Sequence, residues 1–160
     1  MSAPNKAESS LEENLYREVN AYRRQHGRNN LQRNPKLDGL ARQHSDFLLN
    51  NRGKSSVFGA KSDISHYGFE SRSFAAQRLY NMDQVSENVA SAKGCGSNVA
   101  SYVVGLWENS QSHEYNMRTL WTQTGVGVAV DDDGTVFVTE IFATPKVQSH
   151  MGMVNELRMH

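Results

Sequence analysis

The sequence predicts an α+β fold in which helices are layered against an antiparallel hairpin. Three observations carry that expectation. Apolar residues recur at helical spacing through the first fifty positions, a second helical run begins near residue 99, and two alternating runs, Val126 to Val130 and Thr135 to Phe142, flank an acidic, glycine-ended turn.

The elements follow in order. Ser10 with Glu13 three positions later forms a capping box, and Leu11, Leu15, Val19 and Tyr22 share one face, so a first helix is expected from about Leu11 to Gln25, ending before Gly27. Residues 1–9 then read as a flexible N-terminal segment. Asn34-Pro35 is an N-cap followed by a proline at the first helical position, and Leu37, Leu40, Ala41, His44 and Leu48 trace the buried face of a second helix up to Gly53. Residues 53–72, rich in Ser, Gly and Lys, lack a period and read as a long loop with room for one helical turn. A short helix is expected after Ser73, through Phe74, Ala75, Leu79 and Tyr80. Ser97 or Asn98 caps a clearer one, in which Val99, Tyr102, Val103, Leu106 and Trp107 share a face that ends near Ser110. Val126, Val128 and Val130 lead into Asp131-Asp132-Asp133-Gly134 and then Thr135 to Phe142, a hairpin with an acidic, glycine-ended turn. The glycines of Thr124-Gly125-Val126-Gly127 read as close-packing positions in a strand rather than as a phosphate loop. The tail from 145 to 160 has only weak patterning, compatible with a short helix or a frayed end.

Composition narrows the function. The chain has 160 residues, 38% of them hydrophobic, enough to bury one core and short for two. Seventeen basic residues balance seventeen acidic ones with no long run of either sign, which argues against nucleic acid and acidic membrane surfaces as partners. The longest apolar stretches, such as Val99 to Trp107, fall far below the roughly 20 residues a bilayer requires, so no transmembrane segment is expected. The one cysteine, Cys95, permits no internal disulfide, and in Gly94-Cys95-Gly96 it reads as a small loop residue. Ser2 to Ser9 is polar and unlike an export signal, as in a mature or trimmed chain.

One fragment starts as a zinc-protease signature and fails. His113-Glu114 opens an H-E-x-x-H pattern, but the closing position is Met117, whose thioether is a weak ligand for zinc. His113 therefore needs a partner from elsewhere in the fold.

Four segments suggest where that partner lies: NAYRRQHGRNNLQRNPKLDGLARQHSDFL, SHYGFESR, SENVA, and LWENSQSHEYNM leading into TGVGVAV. In this order and spacing they resemble the CAP superfamily, or SCP domain, which includes cysteine-rich secretory proteins, antigen 5 and pathogenesis-related class 1 proteins. The resemblance spans Leu11 to Phe142, placing a CAP domain at 10–144. The Trp-x-x-Ser-x-x-His-x-x-Asn-Met form, without disulfides, is similar to the bacterial branch. It implies an α-β-α sandwich with a central antiparallel sheet between helical layers and a cleft of histidines and carboxylates. Carried over by motif, His66 is the first family histidine, Glu87 the family glutamate and His113 the second histidine, together a set suited to zinc or another divalent cation with a position left for water. Where many eukaryotic members carry a second glutamate, three positions after the tryptophan, this chain has Ser110. Glu108, two positions earlier, is turned by about 200° on a helix and is only a candidate for the cleft. Ser110 is the expected hydrogen-bonding neighbour, and Tyr67, Phe69 and Tyr115 either line the cleft or pack in the core. Asn88 reads as a backbone tether, His44 as a half-buried packing residue, and Trp107 and Trp121 as core or rim aromatics.

The resemblance implies a non-catalytic binding protein, secreted or held at the cell envelope, with a small apolar molecule or an extracellular protein as partner. No catalytic residue is assigned. The alternative is a zinc-dependent peptidase or esterase using the same cleft, with Glu87 as ligand or base. A serine hydrolase built on Ser110 and His113 has weaker support, because no acid or oxyanion hole is identifiable.

Overall fold

The structure, a computed structural model, describes residues 3–52, 56–57, 60–61 and 64–147. Helix α1 spans Lys6–Gln25, β1 Gln32–Arg33, α2 Pro35–Asn50, and two-residue strands β2 and β3 Ser56–Val57 and Ala60–Lys61. A 3-10 turn at Ile64–His66 precedes α3, Phe69–Leu79, and β4, Met82–Ala92. A second 3-10 turn at Gly96–Asn98 leads into α4, Val99–Glu108, then α5, Gln111–Arg118, β5, Gln123–Val130, and β6, Val136–Pro145.

Strand order in the main sheet is β1-β5-β6-β4; β5–β6 and β6–β4 pair antiparallel, and the short β1 adds to β5 in parallel. β4 is thus an edge strand. Its register places Glu87 opposite Ile141 and Asn88 opposite Glu140. Because side chains alternate across a strand, neighbouring residues here face different helical layers.

Helices cover both faces. On one, Leu15, Val19 and Tyr22 of α1 meet Val99, Val103 and Trp107 of α4 over Val126, Val128, Val138 and Phe142. On the other, Leu37, Leu40 and Ala41 of α2 and Ala76 of α3 pack on Met82, Ile141 and Ala143. This is the expected α-β-α sandwich with its sheet in the middle. Strand β5 shows why it works: the valines of G-V-G-V fill the α1/α4 core, while Gly125 and Gly127 let α2 lie directly on the backbone. A Cβ at Gly125 would sit 2.1 Å from the Leu37 carbonyl carbon, and one at Gly127 2.1 Å from the Arg42 nitrogen.

Several elements depart from expectation. α1 starts five residues early, because Asn5 and Glu8 form the capping box and residues expected to be a flexible leader are helical from Lys6. Asn5 accepts from the Glu8 N–H at 2.9 Å and Glu8 reaches back to the Asn5 N–H at 3.0 Å, the same reciprocal pair of bonds that Ser10 and Glu13 would make five residues later. Asn34 caps α2 as expected, accepting from Lys36 N at 2.9 Å. α3 starts at Phe69 rather than after Ser73, and the second helical run stops at Glu108. β4 and a separate α5 have no counterpart in the periodicity. Residues 53–55, 58–59 and 62–63 of the expected loop, and 148–160 of the expected tail, lie outside the described residues.

Buried charge ties the layers together. Glu12, fully buried, accepts from Arg33 at 2.9 Å and Arg42 at 2.7 Å, and Asp38 accepts from both Arg33 and the Val126 N–H. Arg23, 1% exposed, donates to the carbonyls of Asn29, Met117, Thr119 and Trp121. Glu140 is different. Its Oε1 accepts from Thr124 at 3.1 Å, Oε2 has no hydrogen-bond partner among the described residues, and burial pushes its carboxyl up from 4.5 to about 8. The folded chain therefore keeps Glu140 protonated at pH values where the unfolded chain has released that proton, so this group's contribution is fully present below about pH 4.5 and is lost as pH rises toward 8. Glu140→Gln is expected to remove this slope, gaining on the wild type in denaturant midpoint from mildly acidic to mildly alkaline pH. Parallel midpoint curves for the two proteins would refute the assignment.

Candidate functional site

The site forms at the outer edge of β4, where three elements bring Glu87 and His66 together. Glu87 leans from β4 toward the α2 side, its side chain 2% exposed. His66 Nδ1 lies 2.9 Å from Glu87 Oε2. Arg72, on the inward side of α3, grips the carboxylate with a fork: Nε to Oε1 at 2.9 Å and Nη2 to Oε2 at 2.9 Å. Burial alone would raise this carboxyl, but the bonds from His66 and Arg72 and the guanidinium charge outweigh it and hold Glu87 below its ordinary range. Glu87 is an ionised, fully engaged carboxylate.

The second histidine approaches from the other layer. α5 is tethered to β4 by Asn116, which donates to the Glu87 carbonyl at 3.3 Å and to Asn88 Oδ1 at 2.9 Å, while Asn88 donates to the His113 carbonyl at 2.9 Å. The backbone-tether role expected of Asn88 is what the structure displays. Ser110 is the N-cap residue of α5, yet its hydroxyl caps no backbone N–H and instead bonds His113 Nδ1 at 2.8 Å. Burial, and secondarily the charge of His66, lower the basicity of His113 and favour its neutral form. That form is the one that binds metals.

His44 proved more than a packing residue. It is 2% exposed, its Nε2 bonds the Ser65 carbonyl and lies 3.9 Å from Glu87 Oε2, and its ring continues through Phe47 to Tyr67 at centroid spacings of 5.9 and 5.0 Å. Burial lowers its basicity. Tyr67, 37% exposed, forms with His44, Phe47 and Arg72 the walls of a hollow of about 230 Å³.

Other candidates fall elsewhere. Glu108 is exposed, and its charge is felt by Tyr22 of α1. Tyr115 is 56% exposed, with the Arg118 guanidinium 5.6 Å above its ring. Glu114 of the broken zinc signature points to α1: it accepts from the Tyr22 hydroxyl and from Arg118 at 2.8 Å. Trp107 and Trp121 are core aromatics, each with its indole N–H on a carbonyl, Val89 and Asn116 respectively. Among the described residues no three His, Cys, Asp or Glu side chains are gathered into a metal-ligand set. His66 and Glu87 meet directly and His113 stands within electrostatic reach of His66. Sequence reasoning gave Arg72 no role and His44 only a packing one; Arg72 closes the SHYGFESR segment six residues after His66, but its target is fixed only when α3 docks on β4.

A sheet between two helical layers, with a buried glutamate on its edge strand bonded by His66, defines an α-β-α sandwich protein. The chain belongs to the CAP family, described as the cysteine-rich secretory protein family, whose model matches residues 16–142. Its fold is similar to an outer surface protein from Borrelia burgdorferi (20% identity, TM-score 0.66, covering 91% of this chain and 98% of that one). It is also similar to an extracellular SCP-domain protein from Bacillus anthracis (21%, 0.62, 89% and 45%) and a cysteine-rich secretory protein from Staphylococcus aureus (17%, 0.61, 89% and 41%). The chain spans less than half of the latter two. A comparison with curated proteins finds no sequence match.

Proposed function

We propose that this chain is an extracellular, non-catalytic CAP binding domain whose cleft holds a divalent ion through His66 and His113. The location draws on the family's secretory description and on neighbours named as outer surface and extracellular proteins. No helix among the described residues is long and apolar enough to cross a membrane.

The observation that carries the non-catalytic reading is the state of Glu87. A metal-dependent hydrolase needs a carboxylate able to take a proton from water. Glu87 is locked in the Arg72 fork and held ionised, which makes it a poor base, and Glu114 is bonded to Tyr22 and Arg118. Glu87 suits a different task, accepting the Nδ1 proton of His66 so that Nε2 faces an ion, the carboxylate–histidine arrangement common behind metal ligands. Ser110 is placed to accept the Nδ1 proton of His113, which would leave its Nε2 for the ion as well. Two imidazoles fit a divalent ion such as zinc with its remaining positions open, and the ion would supply a Lewis-acidic anchor for a donor group on the partner. Glu87 supports the site from behind rather than completing it. For a small apolar partner, a recess of about 430 Å³ lies on the other face of the sheet, walled by Ala7, Leu11, Val99, Val130 and Val136.

Zinc titration by calorimetry tests the reading. One-to-one binding is expected in the wild type, with loss of at least about 100-fold in affinity in His66→Ala/His113→Ala, since removing ligands exceeds the effect of removing their supports. Absence of binding in the wild type, or binding unchanged in the double variant, would remove the ion from the proposal. Metal-dependent hydrolysis that depends on both histidines would overturn the non-catalytic reading.

A further inference from the structure

The short stretch Ser65-His66-Tyr67 is held from three directions at once. From α2, His44 Nε2 bonds the Ser65 carbonyl; since a carbonyl only accepts, Nε2 carries the proton. From α3, Arg72 Nη1 donates to the Tyr67 carbonyl at 2.7 Å. From β4, Glu87 takes His66 Nδ1 at 2.9 Å. Arg72 contributes twice, since its other two nitrogens orient the carboxylate that holds the ring.

We propose that Arg72 is the positioning residue of the cleft, fixing His66 as the Nδ1–H tautomer by holding both the Glu87 carboxylate and the backbone next to the ring. A buried carboxylate is costly unless it is paired and hydrogen-bonded, and among the described residues Arg72 supplies two of the three donors on Glu87. An ionised carboxylate only accepts, so the imidazole nitrogen facing it must carry the hydrogen, and Nε2 becomes the acceptor nitrogen of the ring. Without the fork, Glu87 is free to rotate or protonate, and the Tyr67 carbonyl loses its bond from Arg72. The planar fork matters as well as the charge, because an ammonium cannot span both carboxylate oxygens and the carbonyl in the same geometry.

The inference deepens the reading of the cleft as the ligand site, yet its primary test needs no ligand. Nitrogen-15 NMR of the metal-free protein, at a pH above the ordinary imidazole range, reports the His66 tautomer directly. The wild type is expected to show Nδ1–H. Arg72→Met is expected to populate the Nε2–H form and to weaken zinc binding about tenfold, the lower end of what outer-shell substitutions cost. Arg72→Lys is expected to fall between the two. Should Arg72→Met fail to fold, Arg72→Gln serves in its place, and the same tautomer release is expected. A wild-type Nε2–H tautomer, or an unchanged Nδ1–H tautomer in a folded Arg72→Met or Arg72→Gln protein, would overturn the proposal. Tautomer release without any zinc binding in the wild type supports Arg72 as positioning residue and removes only the ion.

Discussion

Gly127→Ala is expected to destabilise the fold by about 3 kcal/mol or more, lowering the thermal midpoint by roughly 10 °C. A methyl at that position would lie 2.1 Å from the Arg42 nitrogen and 2.3 Å from the Ala41 carbonyl carbon, and both neighbours are helix backbone that cannot swing aside. Relief would require α2 to rise off the sheet, which would also unpack Leu37, Leu40 and Ala41. Gly125→Ala meets the same obstacle at Leu37 and Asp38. Gly39→Ala provides the control, since a Cβ there meets nothing within 4 Å and the residue sits inside α2. It is expected to stabilise by about 0.5–1 kcal/mol. Equal midpoints for Gly127→Ala and wild type would show that α2 does not lie this close to β5.

Arg23→Met is expected to cost about 3–5 kcal/mol, read as a shift in denaturant midpoint. The guanidinium binds the Met117, Thr119 and Trp121 carbonyls at 2.8, 2.7 and 3.3 Å, pinning the link between α5 and β5 to the end of α1. A methionine fills the space but removes the guanidinium from all three carbonyls, leaving the Thr119 carbonyl with the Trp121 N–H at 2.8 Å. Arg23→Lys is expected to recover only part of the loss, because one ammonium cannot reach the Asn29 carbonyl and the other three together. A change of less than about 1 kcal/mol in Arg23→Met would mean that water replaces the guanidinium freely and that this link is not held by Arg23.

Much of the fold was legible because its signals are local. Asn34-Pro35 starts α2 where such a pair should, and the valine alternation with the glycine-ended turn at Gly134 marks the β5–β6 hairpin. The glycines of β5 were readable as close-packing positions, though not which helix they admit. β4 was illegible for a physical reason. As an edge strand it faces protein on one side chain and solvent on the next irregularly, and its polar residues Glu87, Asn88 and Ser86 are bonded to groups on other elements, so no period survives. The start of α1 was misplaced because Asn5-x-x-Glu8 and Ser10-x-x-Glu13 are both sound caps, and nothing local chooses between them.

His66, Glu87 and His113 were singled out through motifs, whereas His44 and Arg72 lie within the same segments with no site role assigned to them. The sequence by itself determined α2, α4 and the β5–β6 hairpin, the existence though not the start of α1 and α3, and that a histidine at 113 lacked its partner within its own helical turn, because capping, periodicity and i,i+4 spacing act over a few residues. Only the tertiary structure decided what Glu87 does. A carboxylate's role depends on which donors surround it after burial, and those donors arrive from α3 and from the turn before it, elements brought to β4 by packing rather than by proximity in the chain.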